Sequence, residues 1–184
     1  KPVATTLKDA LPLSRAEYDG RLLAGHLVVH HPGLQRVHEL VKDGAVGLVE
    51  SVHATRASAG AAHSSESALW ALGPHDAPTI GRLLGSPSAV RCTPHLPNEQ
   101  AVEIAVGFRH GSTARVDLSR RGPRARRELR VTGTRGAITF DEERGVIRLM
   151  ELGQQPSIFE RRPDHPLLEL QCRHFLRCVT GHES

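Results

Sequence analysis

The sequence is poor in aromatic residues, cysteines and lysines. Aromatic side chains make up 3% of its 184 residues, so the core must consist of Leu, Val, Ile and Ala rather than stacked rings. The 3 cysteines are an odd number without CxxC spacing, which favours reduced thiols in a cytoplasmic protein. No apolar run approaches the roughly 20 residues of a membrane-spanning helix, and no secretory signal opens the chain. We therefore expect a cytoplasmic protein without a membrane partner.

Nearly all of the positive charge comes from arginine, because lysine stands only at Lys1, Lys8 and Lys42. A basic run can bind nucleic acid through phosphate contacts. The densest run here spans a predicted turn between two strands and has no interleaved aromatic residues for base stacking, so we expect no nucleic-acid partner. The run consists of Arg120, Arg121, Arg124, Arg126, Arg127, Arg130 and Arg135.

The first thirty residues predict the end of a parallel α/β layer. Residues 6–9 resemble a capping box, and Pro12 interrupts the helix that follows, so this helix should be short or kinked and end before Gly20. Residues 21–29 are mostly apolar, as in a strand that is buried on both faces of a parallel sheet. Since the length allows one full domain and a piece of another, most of this layer should be absent from the chain.

The remaining residues predict an α+β domain with a mainly antiparallel sheet. Pro32 begins a helix whose apolar residues repeat at helical spacing and which closes at residues 42–44. Residues 48–56 favour a strand, and from Val102 onward apolar and polar residues alternate through a meander. One face of this sheet should be apolar and covered by helices, and the other open. A last helix should run from Asp164 to Gly181. Its predicted apolar stripe is Leu168, Cys172, Phe175 and Val179.

The candidate chemical centre is His75, in residues 69–76. Gly73 and Pro74 make a tight turn, and Asp76 can cap the helix that continues to Gly85. Such a corner fixes the direction of a side chain, as proton transfer requires. A histidine beside a helix start can also be no more than a cap or a surface residue.

Three further polar residues, His26, His31 and Lys1, are candidates for a site that includes His75. His26 and His31 lie in a cluster ahead of the Pro32 helix, where they either border a substrate or are ordinary loop histidines. The 12 histidines include no HExxH motif, and no paired CxxC occurs, so we expect no metal. A dehydrogenase acting on an alcohol needs an acid or base and a cation at the hydroxyl oxygen, for which His75 and Lys1 are suitable residue types. Spacing alone does not show that they meet.

Five stretches of the sequence resemble signatures of the Gfo/Idh/MocA oxidoreductases, in the right order along the whole chain. The resemblance is closest to the branch that acts on nucleotide-linked sugars, such as UDP-N-acetylhexosamines and their uronic acids. The stretches are Lys1-Pro2 with residues 4–6, residues 25–32, residues 70–76, residues 131–137 and residues 174–176.

The resemblance implies an N-terminal Rossmann domain for NAD or NADP and a C-terminal α+β domain whose open sheet often mediates oligomers. Residues 1–30 would then be the C-terminal remnant of the Rossmann domain, its last helix and strand, and residues 31–184 the substrate-binding and oligomerisation domain. Lys1 would lie near the nicotinamide and the reacting hydroxyl, with Pro2 beside it in the cofactor site.

The same resemblance implies that His75 is the proton-transfer histidine. His26 and His31 would border the substrate pocket, and Thr79, one helical turn beyond His75, could face it. Many relatives have Asp where Ala71 stands.

We therefore expect the substrate-binding portion of an NAD(P)-dependent oxidoreductase that oxidises or reduces a sugar hydroxyl or ketone, on a nucleotide-linked sugar, and that forms a homo-oligomer. No GxGxxG motif occurs in the sequence, so this chain alone should neither hold the dinucleotide nor catalyse the reaction. The alternative is a non-catalytic binding or oligomerisation module that kept the fold without the cofactor domain, which Ala71 and the missing motif favour.

Overall fold

An eight-stranded β-sheet lies at the centre of the protein. The structure is a computed structural model, and it describes residues 2–14, 22–59 and 67–181. The strands are β1 (Val49–Ala59), β2 (Ala89–Pro94), β3 (Ala101–Gly107), β4 (Thr113–Gly122), β5 (Arg126–Gly133), β6 (Gly136–Asp141), β7 (Val146–Glu151) and β8 (Ser157–Glu160). The α-helices of the described ranges are α1 (Leu7–Ala10), α2 (Pro32–Lys42), α3 (Ala68–Leu72), α4 (Ala77–Leu84) and α5 (Leu167–Val179).

The strands follow the order β2-β3-β4-β1-β5-β6-β7-β8 across the sheet. Every neighbouring pair is antiparallel except β1 and β4, which run parallel in the middle of the sheet. The predicted α+β class with a mainly antiparallel sheet is therefore confirmed. Strands β2 and β8 form the two edges of the sheet, and neither was predicted from the sequence.

One face of the sheet is covered by helices and the other is open, as the alternating pattern predicts. On β4, Ala114, Val116 and Leu118 are buried, whereas Thr113 and Arg115, at alternate positions, are exposed. The buried face packs against helices α2 and α3, and Ile80 and Leu84 of α4 belong to the same core. The fully buried members of this core are Phe140, Leu118, Ile138, Ile147, Val37, Val46, Val52, Val102 and Val131.

Helix α2 begins where the sequence predicts, with Pro32 in its first turn. His31 is its N-cap, because the Gly33 N–H donates a hydrogen bond of 2.9 Å to His31 Nδ1. The ring is 3% exposed and packs edge-on against Phe140 at 5.1 Å between centroids. Burial lowers the pKa of His31 below its ordinary value of 6.5, although the charge of Glu142 opposes that shift. The imidazole is therefore neutral and acts as a capping acceptor.

The strand predicted over residues 21–29 is wrong. The described part of this segment has no β structure, and Leu27–His30 forms a short 3-10 helix instead. A buried strand needs a neighbour for its backbone hydrogen bonds, but this segment turns on itself: the His26 N–H donates to the Ala24 carbonyl at 2.7 Å. Val28 of this run belongs to the core, whereas Leu22 and Leu23 are 47% and 36% exposed.

The first helix is short, as Pro12 predicts. Helix α1 ends at Ala10, and Leu11–Ser14 continues as one 3-10 turn. The Thr6 side chain accepts a hydrogen bond of 3.2 Å from the Asp9 N–H. The predicted end of this helix, before Gly20, lies outside the described residues, and the assignment of residues 1–30 to a Rossmann remnant stays a prediction.

Helix α5 occupies the predicted position but presents a different face to the protein. Leu168 and Val179, two residues of the predicted stripe, are 59% and 51% exposed, and Cys172 is exposed as well. The stripe is therefore wrong for these three positions. The side turned inward meets the turn at residues 25–30, where an added Cβ on Gly25 would lie 3.6 Å from the Gln171 amide nitrogen. This inner side consists of Leu167, Leu170, Gln171, His174, Phe175 and Cys178.

The hairpin between β5 and β6 explains Gly133 in the stretch 131–137. An added Cβ on Gly133 would lie 2.5 Å from the Val46 carbonyl oxygen, which no side chain can accommodate without movement of the backbone. In the hairpin turn, the Arg135 N–H also donates a hydrogen bond of 2.9 Å to the Val46 carbonyl, in the loop after α2. Glycine is thus required at Gly133 for close backbone contact, and the stretch has a structural role.

Candidate active site

His75 lies at a corner that leads into helix α4, as the sequence predicts, and the short helix α3 before this corner was not predicted. Helix α3 is capped by Ser67, whose hydroxyl oxygen accepts from the Trp70 N–H at 3.4 Å. Gly73–His75 then forms one 3-10 turn, and α4 follows directly. This helix ends at Gly85, which has a φ of 80°. The corner therefore sets the direction of the His75 side chain through backbone that is helical on both sides.

The predicted capping role of Asp76 is wrong. Asp76 occupies the N-cap position of α4, but its side chain makes no capping hydrogen bond. The carboxylate instead accepts from Arg56 Nε at 3.1 Å and from a terminal guanidinium nitrogen of Arg56 at 2.9 Å. Such a bidentate, charge-assisted pair is stronger than a single cap hydrogen bond. The residue after His75 is thereby tied to the central strand β1.

A buried network of charges extends from this pair. Arg56 also donates to Glu142 at 3.0 Å, and the other oxygen of Glu142 lies 3.7 Å from Arg127. The Arg56, Asp76 and Glu142 side chains are 7%, 10% and 11% exposed, whereas Arg127 is 51% exposed. Two guanidinium groups and two carboxylates therefore balance each other, as burial of charge requires.

The pKa shifts in the network have opposing causes. Burial would lower the pKa of Arg56, but the hydrogen bonds and negative charges of Asp76 and Glu142 raise it above its ordinary value. Burial raises the pKa of Asp76, and the two hydrogen bonds from Arg56 work against that shift. The raised pKa of Arg56 favours its charged form, whereas the raised pKa of Asp76 favours its neutral form, so the two shifts disagree about the charge of Asp76. Because the guanidinium is always protonated and holds both carboxylate oxygens, the pair is ionised.

A cavity of about 420 Å³ opens beside His75. Its polar lining includes His75, Ser58, Arg127, Glu142 and Arg56, and its apolar lining includes Leu27, Val28, Leu72 and Leu167. The volume lies within the usual range for a small-molecule site, and convergent polar groups on an apolar wall are typical of such sites. The cavity, with its histidine at a fixed corner, is the candidate active site.

His26 is the one other predicted site residue that the described structure brings to this corner. Its Nδ1 lies 3.0 Å from the Pro74 carbonyl oxygen. Since a carbonyl can only accept, Nδ1 carries the proton and donates it, and Nε2 of a neutral ring is then an acceptor. His26 therefore holds the turn that carries His75.

The other predicted site residues lie elsewhere. His31 caps α2 and is not among the residues that line the cavity. Thr79 is 4% exposed and borders a void of about 10 Å³ beside Arg56 and Asp76. Lys1 lies outside the described residues, and Pro2 is half-buried at the start of the described chain.

Sequence reasoning missed Arg56, Arg127 and Glu142. Arg56 did carry a signal, because it follows Val52 and Ala54 at alternate positions of a predicted strand and so belongs to the face that must be buried. Glu142 gave no comparable signal, since it follows the end of β6. Within the described ranges, no group of three or more His, Cys, Asp or Glu side chains could hold a metal ion, and no helix is long and apolar enough to cross a membrane.

The fold and the cavity together define an α+β domain with a cavity beside the helical corner that carries His75. The family model of the GFO/IDH/MocA C-terminal domain matches residues 34–139. The chain therefore belongs to the GFO/IDH/MocA family. No curated protein sequence matches it.

Several solved structures share the fold. A UDP-N-acetylglucosamine 3-dehydrogenase from Acidithiobacillus ferrooxidans is 18% identical with a TM-score of 0.82, over 96% of this chain and 59% of that one. An inositol dehydrogenase homolog from Azotobacter vinelandii, complexed with NAD+, is 17% identical with a TM-score of 0.82, over 99% and 59%. A 3-ketoreductase from Actinomadura kijaniata, in complex with TDP-benzene and NADP, is 18% identical with a TM-score of 0.83, over 100% and 62%. The chain thus spans about three fifths of each.

Proposed function

We propose that this chain is the substrate-binding portion of an NAD(P)-dependent oxidoreductase that interconverts a hydroxyl and a ketone on a sugar, and that the sugar is nucleotide-linked. The observation that carries the proposal is His75 on the wall of a 420 Å³ cavity, at a corner fixed by His26 and Asp76. The solved relatives that are a UDP-sugar dehydrogenase and a 3-ketoreductase support the substrate class.

In this proposal His75 moves the hydroxyl proton. During oxidation a neutral imidazole accepts the proton as the carbon–oxygen double bond forms, and during reduction the imidazolium returns it to the same oxygen. The apolar residues Leu72 and Leu167 limit water around the reacting atoms. Lys1, the other residue that the resemblance assigns to catalysis, would orient the hydroxyl oxygen and stabilise its deprotonated form as a cation.

The residues present do not form a dinucleotide site. The sequence contains no GxGxxG, and in the described ranges no strand leads through a glycine-rich turn into a helix N-terminus. Phosphate groups of NAD or NADP bind at such a turn. In our proposal the cofactor site therefore belongs to another part of the natural protein.

The test is turnover by the natural full-length protein. NAD+ and NADP+ are supplied separately with UDP-N-acetylglucosamine, and reduction is followed by NAD(P)H absorbance. The proposal predicts reduction of at least one cofactor that depends on the sugar. Calorimetric binding of the nucleotide sugar without any turnover would instead support the non-catalytic binding module, which the alanine at position 71 favours.

We also propose that the open face of the sheet binds a second copy of this chain. Two rows of mostly charged residues cross this face, one interrupted by Ala105 and Thr139 and the other by Thr55 and Val146. The basic row contains Arg91, Arg115, His53, Arg130 and Arg148, and the acidic row beside it contains Glu103, Asp117, Glu128, Asp141 and Glu160. A two-fold axis that runs between the rows and parallel to them would place each basic row over the acidic row of the other copy.

Charge exchange on β5 tests this arrangement. Arg130→Glu should raise the dissociation constant of the oligomer at least about tenfold, because each new glutamate would face Glu128 of the second copy. Glu128→Arg should weaken it similarly, and the double variant should restore association by exchanging the rows locally. Sedimentation equilibrium measures all three. If neither single variant changes the dissociation constant, the open face is not the interface.

A further inference from the structure

The buried network ends in the cavity with a positive charge. Arg127 is 51% exposed and lines the same cavity as His75. Its contact with Glu142, at 3.7 Å between one guanidinium nitrogen and one carboxylate oxygen, is longer than a hydrogen bond. A guanidinium carries five N–H donors in a planar fork, and this contact leaves that fork able to bind another group.

The negative charges of the network are enclosed. Arg56 binds both oxygens of Asp76 and one oxygen of Glu142, at 2.9 to 3.1 Å. Both carboxylates are about one tenth exposed. A ligand that enters the cavity therefore meets the guanidinium of Arg127 as the accessible charge, although the network as a whole is neutral.

We propose that Arg127 determines substrate specificity by binding an oxyanion of the substrate, a carboxylate or a phosphate. This inference rests on the proposed function, since it places the anion in the cavity where His75 meets the reacting hydroxyl. A planar guanidinium matches the two oxygens of a carboxylate or phosphate in a bidentate pair. In this arrangement the reacting hydroxyl of the substrate meets His75 and its negative charge meets Arg127, two residues that line the same cavity.

The neighbouring residue supplies a matched control. Arg126 is on the same strand, is 52% exposed and is already paired with Glu128 at 3.0 Å. Because successive side chains of a strand point to opposite faces, Arg126 lies on the open face while Arg127 lies in the cavity. Arg126→Gln and Arg127→Gln therefore remove the same charge from two sides of the sheet.

The experiment compares binding and turnover of three probes by the natural full-length protein and both variants. UDP-N-acetylglucosamine and its C6 carboxylate form, UDP-N-acetylglucosaminuronic acid, differ only in a carboxylate, and free N-acetylglucosamine lacks the diphosphate. Calorimetry gives the dissociation constant of each probe whether or not it is turned over. Arg127→Gln should raise the KM and dissociation constant of the recognised anionic probe about 10- to 100-fold, with binding of the probe lacking that anion unchanged. The dissociation constant of Arg127→Lys for that probe should lie between those of the wild type and Arg127→Gln.

The probes separate the two oxyanions. If Arg127→Gln loses affinity only for the uronic acid, the carboxylate is the partner of Arg127. If it loses affinity for both nucleotide sugars, the partner is the diphosphate. The inference would be overturned if Arg127→Gln lost the same affinity for charged and neutral probes, or if Arg126→Gln and Arg127→Gln had equal effects. It would also be overturned if the wild type bound neither anionic probe. Tight binding of an anionic probe without turnover would contradict the proposed function alone.

Discussion

Replacement of His75 by glutamine in the natural full-length protein is expected to lower kcat about 10²- to 10⁴-fold and to change KM little. Glutamine has a similar size and can form hydrogen bonds, but it cannot take up a proton at neutral pH. The limb of the pH–rate profile that reports ionisation of His75 should disappear as well. Steady-state kinetics with the substrate and cofactor identified by the turnover assay measure both effects.

His95→Gln is the control, because His95 is on the loop after β2, its side chain is 53% exposed, and it does not line the cavity. That variant should leave kcat essentially unchanged. If His75→Gln retained wild-type kcat while Lys1→Met abolished turnover, the lysine would be the proton-transfer group and the role that we give His75 would be wrong.

Replacement of Arg56 by leucine is expected to lower the free energy of unfolding by about 3–5 kcal/mol. Removal of this guanidinium leaves Asp76 and Glu142 as buried carboxylates without their main partner, and the cost of desolvating them remains. Leucine also fills less of the space beside Thr79. Urea denaturation followed by circular dichroism gives the change in the free energy of unfolding.

A surface ion pair provides the control. Arg173 pairs with Glu169 at 2.6 Å on α5 but is 53% exposed, so Arg173→Leu should cost about 0–1 kcal/mol. The triple variant Arg56→Leu, Asp76→Asn, Glu142→Gln should recover part of the lost stability, because it removes the unpaired charges. A loss of stability in Arg56→Leu no larger than in Arg173→Leu would mean that the network is not buried in the folded protein.

The elements with strong periodicity could be predicted from the sequence. Helix α2 has a proline at its start and apolar residues at helical spacing, and the alternation from Val102 onward gives the meander and its open face. Edge strand β2 escaped prediction because all of its residues are exposed and no apolar face marks it. The parallel pairing of β1 with β4 joins residues far apart in sequence, and local pattern carries no information on it.

The candidate site was predictable only in part. His75 was recognised because Gly73, Pro74 and the helix after them are local signals. The ion network was not recognised, because Arg56, Asp76 and Glu142 come from three separate segments, and the alternation that marks Arg56 as buried does not show which residues it pairs with. The wrong strand at residues 21–29 has a related origin, since the run is apolar but no described strand lies beside it, and Val28 reaches the core from a 3-10 turn.

Strand β1 performs two tasks with alternate side chains. Arg56 faces the core and the cavity, and His53 faces the open side, where its Nε2 lies 2.7 Å from an Asp117 carboxylate oxygen. The pairing with β4 stays in register from Ser51 to Ala57. One residue added or lost within this stretch would exchange the two faces of β1, exposing Arg56 and burying His53 of the basic row. Evolution of this domain can therefore vary the side chains of β1 far more freely than the number of its residues.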